Sequence, residues 1–359
     1  MGKLAPNSEG ASDCMDQQQA AVMAEYDEFA FGAVSRPVER SGGFSDAAIW
    51  EVTSPAGRFA LRRWPSGYPT PPRRAWLHRF LIFVRDRGLP FIAAPLKTKS
   101  GATFVELGGH SWEAAPWLPG TPDRSSAPSP QRVAAALDAL AQFHRAAALF
   151  PPGPTRGPSP GLADREMLTR LLLQGDADQL RKAIEQRQVE LQTPPSLVRK
   201  SHQILDLFQA SAPRVAGLLA QHSQTIVPLL PCLRDVWSEH VLFEGDRVTG
   251  IIDYGALRTD SIAGDVTRLL GSLASDNLEL WKIGLDAYSS RRPLQPGEQS
   301  LLQVFDESSV LLSGTHWIRW IFVDSIQFRD LSAVEQRMDH WLARLPVLAR
   351  RPSDCTFLD

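Results

Sequence analysis

The stretch LRDVWSEHVLFEGDRVTGIIDYG, residues 233–255, holds two β-prone runs, VLFE and VTGIID, on either side of Gly245-Asp246-Arg247. Short apolar runs flanking a glycine-bearing turn specify an antiparallel hairpin. Pairing the two runs brings the loop before the first strand toward the end of the second, so Asp235 and His240 are expected near Asp253. Two carboxylates and an imidazole at one end of a hairpin can bind a hard divalent ion and a hydroxyl-bearing substrate. Asp253 would supply oxygens to the metal, and Asp235 would orient or deprotonate the nucleophile. On residue types alone, aspartates beside turns also read as solvent-facing turn residues.

Outward from the hairpin, the chain divides in two. GGFSDAAIWEV and GRFALRRW, separated by TSPAG, read as two antiparallel strands; RRAWLHRFLIFVRDRG reads as a helix ending at Gly88; and ATFVELGGHSWEAAPWL supplies two further strands around Gly108-Gly109. Beyond the Pro- and Ser-rich LPGTPDRSSAPSPQ the pattern turns helical, beginning with RVAAALDALAQFHRAAALF. The expected organisation is a flexible tail over residues 1–24, a sheet-rich lobe over 25–117 and a larger helical lobe over 118–350, an α+β fold. His144 at a helix end and Trp317 and Trp320, three apart on one helix, are expected to pack rather than to act on a ligand.

Composition narrows the function. The 359 residues are 43% hydrophobic, enough for a substantial core, and the net charge of -2 offers no general field for nucleic acid or anionic membrane. Cys14, Cys232 and Cys355 are far apart and lack metal-ligand spacing, so neither a disulfide framework nor a zinc knuckle is expected. The first residues lack an apolar signal core, and no apolar run is long enough to span a bilayer. A cytoplasmic protein with no nucleic-acid or membrane partner is the expectation.

LPCLRDVWSEHVLFEGDRVTGIIDYG resembles the signature of the aminoglycoside phosphotransferase and choline kinase group, a protein-kinase-like family whose usual form is His-Gly-Asp, a few residues, Asn, then a hairpin ending in Ile-Asp-Phe or Ile-Asp-Tyr and Gly. The resemblance implies a bilobal fold, with ATP bound between the lobes, Mg2+ or Mn2+, and a small-molecule hydroxyl acceptor. It places Asp235 as the catalytic aspartate and Asp253 with His240 as metal ligands. Gly42, Gly43 and Ser45 match the nucleotide loop, Arg62 matches the phosphate-pairing lysine, and backbone groups of about Glu113 to Ala115 match the adenine-contacting segment. ALDALAQFHRA and GDVTRLLGSL match two further family segments, Asp265 falling on the aspartate of the second.

The departures from that pattern are specific. Leu233-Arg234-Asp235 replaces His-Gly-Asp, His240 replaces the metal-binding asparagine, Arg62 replaces the lysine, and PPRRAWLHRF contains no glutamate to pair with that cation. An imidazole suits Mn2+ better than Mg2+, and an arginine neutralises phosphate as a broad fork. Three readings follow: an atypical ATP-dependent phosphotransferase acting on an aminoglycoside, amino alcohol or sugar-like hydroxyl; a catalytically impaired relative that binds nucleotide, metabolite or a protein; and an unrelated α+β domain. The helical segment DREMLTRLLLQGDADQLRKAIEQRQ carries both signs of charge and names no acceptor.

Overall fold

The computed structural model describes residues 8–29, 34–40, 47–123, 128–190, 193–326, 328 and 330–351. Its contacts divide the chain into two compact units. The first comprises the residues up to Thr121 together with Leu242–Glu244 and Thr249–Gly255, and the second comprises the remainder.

The first unit opens with α1 (Ser8–Met23), followed by β1 (Val38–Arg40), β2 (Ala48–Ser54), β3 (Gly57–Arg63), α2 (Pro71–Asp86), β4 (Val105–Leu107) and β5 (His110–Pro116). The five strands form one antiparallel sheet in the order β1-β2-β3-β5-β4. Alternation decides its faces. Trp50, Val52, Phe59, Leu61, Trp112 and Ala114 point to one side and form a core with Val22, Tyr26 and Phe29, the rings of Trp50 and Trp112 stacking with centroids 5.5 Å apart. The β4–β5 turn needs two left-handed residues, and Gly108 and Gly109 supply φ of 62° and 76°. Helix α2 starts with proline in its first turn, buries Leu77, Phe80, Leu81 and Val84, and ends before Gly88 at φ 84°.

One expectation is corrected. Ser8–Met23, read as part of a flexible tail, is helical, because Met15, Val22 and Met23 find apolar partners on the sheet and Val22 is fully buried. An exposed pair between Asp16 and Arg36 at 2.6 Å lies alongside.

A two-residue strand, β6 (Thr121–Pro122), precedes α3 (Pro130–Ala147), β7 (Thr155–Gly157), α4 (Pro160–Leu171), α5 (Ala177–Arg187), α6 (Pro195–His222) and β8 (Val227–Cys232). The hairpin is β9 (Val241–Glu244) and β10 (Arg247–Ile251), turning at Gly245 with φ 59°. Then come β11 (Arg258–Asp260), α7 (Ile262–Ala274), α8 (Leu278–Arg291), α9 (Pro296–Phe322) and α10 (Leu331–Arg350). The second unit is mainly helical around α9, which is buried on nearly every side, and Trp317 packs against Trp320 with centroids 5.0 Å apart. A three-stranded sheet within it, β11-β8-β7, was not expected from sequence.

The residues at the hairpin's end belong by contact to the first unit. Ile251 N–H donates to the Phe91 carbonyl at 2.9 Å, and the Ala93 amide donates to the Tyr254 hydroxyl at 3.2 Å. A small antiparallel-sheet N-terminal region and a large helical C-terminal region make a bilobal, protein-kinase-like architecture. Among the described residues no helix is long and apolar enough to cross a membrane.

Candidate active site

In the second unit the loop from Leu233 to His240 is held by one buried carboxylate. Asp265, in the first turn of α7, accepts the backbone N–H of Leu233 on Oδ2 and that of Arg234 on Oδ1, each at 2.6 Å. Behind it, His144 of α3 lies 3.1 Å from Asp265 Oδ2 through Nε2 and 2.8 Å from the Tyr288 hydroxyl through Nδ1. Burial holds His144 below its ordinary pKa, against the opposing pull of Asp265, so the ring is neutral, donates from Nε2 and accepts the Tyr288 proton on Nδ1. The expectation that His144 packs holds, and its hydrogen bonds add a brace.

Cys232 lies close by, so that donor atoms of His144, Cys232 and Asp265 fall within 4.8 Å of one another. The trio reads as a brace rather than a metal centre. Burial pushes the thiol well up, its Sγ donates to the Asp260 carbonyl at 3.3 Å, and both carboxylate oxygens of Asp265 already accept amides.

Arg234 occupies a left-handed conformation at φ 64°. A side chain there costs about 1 kcal/mol or more in strain unless its surroundings hold it. They do: its guanidinium pairs with Asp260 at 3.2 Å and Asp164 at 3.0 Å. Next in the chain, Asp235 has a side chain 48% exposed, and its Oδ1 accepts the Trp237 indole N–H at 2.8 Å and pairs with Arg268 at 3.3 Å. His240 donates from Nδ1 to the Asp235 carbonyl at 2.8 Å, which in the neutral ring leaves the lone pair on Nε2.

In the first unit, β3 and β5 place Arg62 opposite Glu113, with 3.7 Å between Nη1 and Oε1. Glu113 Oε2 also meets His78 Nε2 of α2 and the Trp64 indole N–H, both at 2.8 Å, while Arg62 lies over the Trp64 ring at 4.9 Å. Burial raises the Glu113 pKa, but His78, Arg62 and Trp64 together outweigh it and hold the carboxyl below its ordinary value. Arg63 points to the other face, toward Trp50 and Trp112, as strand alternation requires. Helix α2 offers no glutamate, as read from sequence. The acid that pairs with Arg62 comes from β5 instead.

The segment matched to the adenine contact lies in β5. β5 runs through Pro116, so Glu113 and Ala115 are paired strand residues opposite Arg62 and Ala60, and the Ala114 carbonyl accepts from Leu96 N–H at 2.8 Å. Asp253 sits just past β10 at φ 64°, its Oδ1 accepting Gly255 N–H at 3.4 Å, while the Gly255 carbonyl accepts the Tyr68 hydroxyl at 2.9 Å. Gly42, Gly43 and Ser45 lie outside the described residues.

The model of the APH family, described as a phosphotransferase enzyme family, matches residues 38–299, which include both aspartates and the braced loop. The chain belongs to the phosphotransferase enzyme family. A search of curated proteins returns no significant match. Among solved structures, an aminoglycoside phosphotransferase from Alicyclobacillus acidocaldarius subsp. acidocaldarius is 20% identical, with 97% of each chain covered and a TM-score of 0.54. An amicoumacin kinase in complex with AMP-PNP, Ca2+ and Ami is 12% identical, with 98% of this chain and 99% of that one covered and a TM-score of 0.60. A microcompartment-associated aminopropanol kinase is 15% identical, with 94% and 97% covered and a TM-score of 0.57. At these identities the likeness is one of fold.

Within this phosphotransferase family member, two features escaped the sequence reading. The carboxylate partner of Arg62 was hidden because Glu113 was assigned through its backbone. Arg268 flanks Asp235 by tertiary contact, Trp237 bonds it from two residues along the same loop, and the signal for Arg268 was its position one helical turn after Asp265.

Proposed function

We propose that this protein is an ATP-dependent phosphotransferase that phosphorylates a hydroxyl group of a small molecule. The observation that carries the reading is the loop at Asp235: two backbone amides clamped by Asp265 fix its path while the Asp235 carboxylate stays half exposed. Preorganisation of this kind supplies most of what phosphoryl transfer asks of a protein.

Among the described residues the contacts of the Asp235 carboxylate with Trp237 and Arg268 fall on Oδ1, so Oδ2 is the oxygen that would orient the acceptor O–H. The acceptor oxygen attacks the γ-phosphorus, a new P–O bond forms, and the bond from that phosphorus to the β–γ bridging oxygen breaks. ADP departs with the electron pair, and the hydroxyl proton passes to Asp235. Arg62, positioned by Glu113, would neutralise nucleotide phosphate.

Asp253 and His240 are the residues that would hold a divalent ion. The donor types fit: a carboxylate, and an imidazole whose Nδ1 is spent on the Asp235 carbonyl so that Nε2 carries the lone pair. When bound, the ion supplies charge neutralisation at the phosphates.

The engagement of Arg62 by Glu113 and the Trp64 face supports a second reading, in which nucleotide, a metabolite or a protein partner is bound without turnover. One experiment separates the two. ADP release is measured with Mg2+ and with Mn2+ over a mixed acceptor panel, for the native chain, Asp235→Asn and Asp253→Asn. Asp235→Asn should abolish acceptor-dependent release and leave nucleotide affinity within a few fold, whereas Asp253→Asn should damage both. Turnover unchanged in Asp235→Asn refutes the mechanism, and tight nucleotide binding with no turnover for any acceptor favours the second reading.

A further inference from the structure

Resting on the phosphotransferase reading, the inference concerns which hydroxyl compounds the site accepts. We propose that Arg165 and Arg268 form an anion site beside Asp235, so that the acceptor carries a carboxylate or phosphate group as well as its hydroxyl.

Arg165 on α4 donates to the Gly161 carbonyl at 3.3 Å and to Ser309 Oγ at 3.1 Å, and its guanidinium carbon lies 4.9 Å from the Phe305 ring centroid. All three partners are neutral, and among the described residues Arg165 forms no ion pair. Arg268 on α7 reaches Asp235 Oδ1 at 3.3 Å through Nη1. The Nε atoms of both arginines are buried and have no hydrogen-bond partner among the described residues. Two buried guanidinium N–H groups without acceptors are costly, and an oxyanion is the ligand whose geometry matches such forks.

The surrounding charges sharpen the point. The other nearby arginines have acids of their own: Arg234 pairs with Asp164 and Asp260, and Arg337 with Glu239. Arg337 and Arg268 both lie over the Trp237 ring, at 4.5 and 5.3 Å. Burial, followed by the charge of Arg268, pushes Arg165 down to about 9, with Asp260 and Asp164 pulling the other way. The mixed charges read from residues 164–188 are thus sorted by the fold. Asp164 pairs with Arg234, and Arg165 forms no ion pair among the described residues, while Arg268 is the arginine that reaches the Asp235 carboxylate. A polycationic acceptor meets repulsion there, and an anionic one meets two N–H donors.

The test uses the full chain with matched acceptors: glycerate and glycerol 3-phosphate as the carboxylate and phosphate arms, glycerol as the neutral arm and 2-aminoethanol as the cationic arm. ATP-dependent ADP release and calorimetric binding are both measured, for the native chain, Arg165→Gln and Arg165→Lys. The proposal expects turnover with at least one anionic acceptor. It also expects a KM raised tenfold or more in Arg165→Gln, a smaller rise in Arg165→Lys, and kcat within a few fold. Should Arg165→Gln fail to fold by its melting curve, Arg165→Lys, which keeps the charge and loses the fork, carries the comparison. Turnover of the neutral or cationic acceptors alone overturns the anion site and leaves the phosphotransferase reading standing. Anion binding lost in Arg165→Gln, with no ADP release from any acceptor, sustains the site and overturns that reading. Absence of both binding and turnover with the two anionic probes overturns the proposal.

Discussion

Arg62 and Glu113 face each other across the β3–β5 ladder, 3.7 Å from nitrogen to oxygen, and Glu113 is further tied to His78 and Trp64. The carboxylate that pairs with Arg62 thus comes from the neighbouring strand, where backbone pairing sets the distance, and not from α2. Glu113→Gln should weaken nucleotide binding by roughly tenfold and cost about 2 kcal/mol of stability, the scale of a lost charged hydrogen bond. Calorimetry with a nonhydrolysable ATP analogue and a denaturant melt check both. Unchanged affinity would separate Arg62 from the nucleotide.

Asp265 is the residue through which the loop is held. Asp265→Asn replaces one acceptor oxygen with an N–H2 facing a backbone amide, so kcat should fall by more than tenfold while nucleotide affinity stays within a few fold. Stability should drop by about 1–3 kcal/mol, the cost of an unsatisfied buried group. A variant with native kcat would show that the loop keeps its path without the clamp.

His240 sets the metal preference in the proposed site. With an imidazole in place of an oxygen donor, Mn2+ should support activity at least as well as Mg2+. His240→Asn should shift the ratio toward Mg2+. Paired activity titrations with the two ions measure this, and a native preference for Mg2+ rules out His240 as a ligand.

Acid stability has an identifiable contributor in His340. Burial, then the charges of Arg344 and Arg337, hold its pKa at about 4, with Asp276 pulling the other way. The unfolded chain takes up this proton at an ordinary value of 6.5, so the folded state binds fewer protons in that interval. Its contribution is therefore fully present above pH 6.5 and is lost as pH falls toward 4, at a rate that cannot exceed about 1.4 kcal/mol per pH unit for one group. Melting curves across this range should be shallower in pH for His340→Gln. An identical slope removes His340 from the account.

Gly161 tests the packing behind Arg234. A Cβ there would stand 2.4 Å from Asp260 Oδ2, and Asp260 also binds Ser159 Oγ at 2.5 Å and Ser261 N–H at 2.8 Å. The carboxylate cannot yield without loosening Arg234, so Gly161→Ala should cost about 1–3 kcal/mol, as overpacking does. A denaturant midpoint matching the native chain would show that Asp260 has room to move.

Much of this was legible in local pattern. GRFALRRW alternates, Gly108-Gly109 demands a tight hairpin, and the hairpin at residues 241–251 carries its own turn residue. What escaped depends on distant partners. β8 is VPLLPC, whose two prolines argue against a strand, and it pairs with TRG some 70 residues before it and with RTD after it, segments with no apolar alternation. The brace formed by His144, Tyr288 and Asp265 joins three helices and leaves no spacing to read. Arg234 shows the converse: its left-handed φ explains why glycine is usual at that place in the signature, and only the acids around it explain how arginine is tolerated.

The first unit draws Leu242–Glu244 and Thr249–Gly255 into its own contacts, with Ile251 bonded to Phe91 and Gly250 packed within 3.0 Å of Leu118 for any added Cβ. On the ribosome, therefore, this unit cannot be completed when Thr121 has emerged; it must wait for more than a hundred further residues. During that interval Leu118 and the backbone groups near Phe91 lack the partners they have in the folded unit, and apolar surface left exposed in this way favours aggregation. A gene fragment ending at Thr121 will yield an incomplete unit, and one that appends residues 241–255 through a linker restores the missing strands.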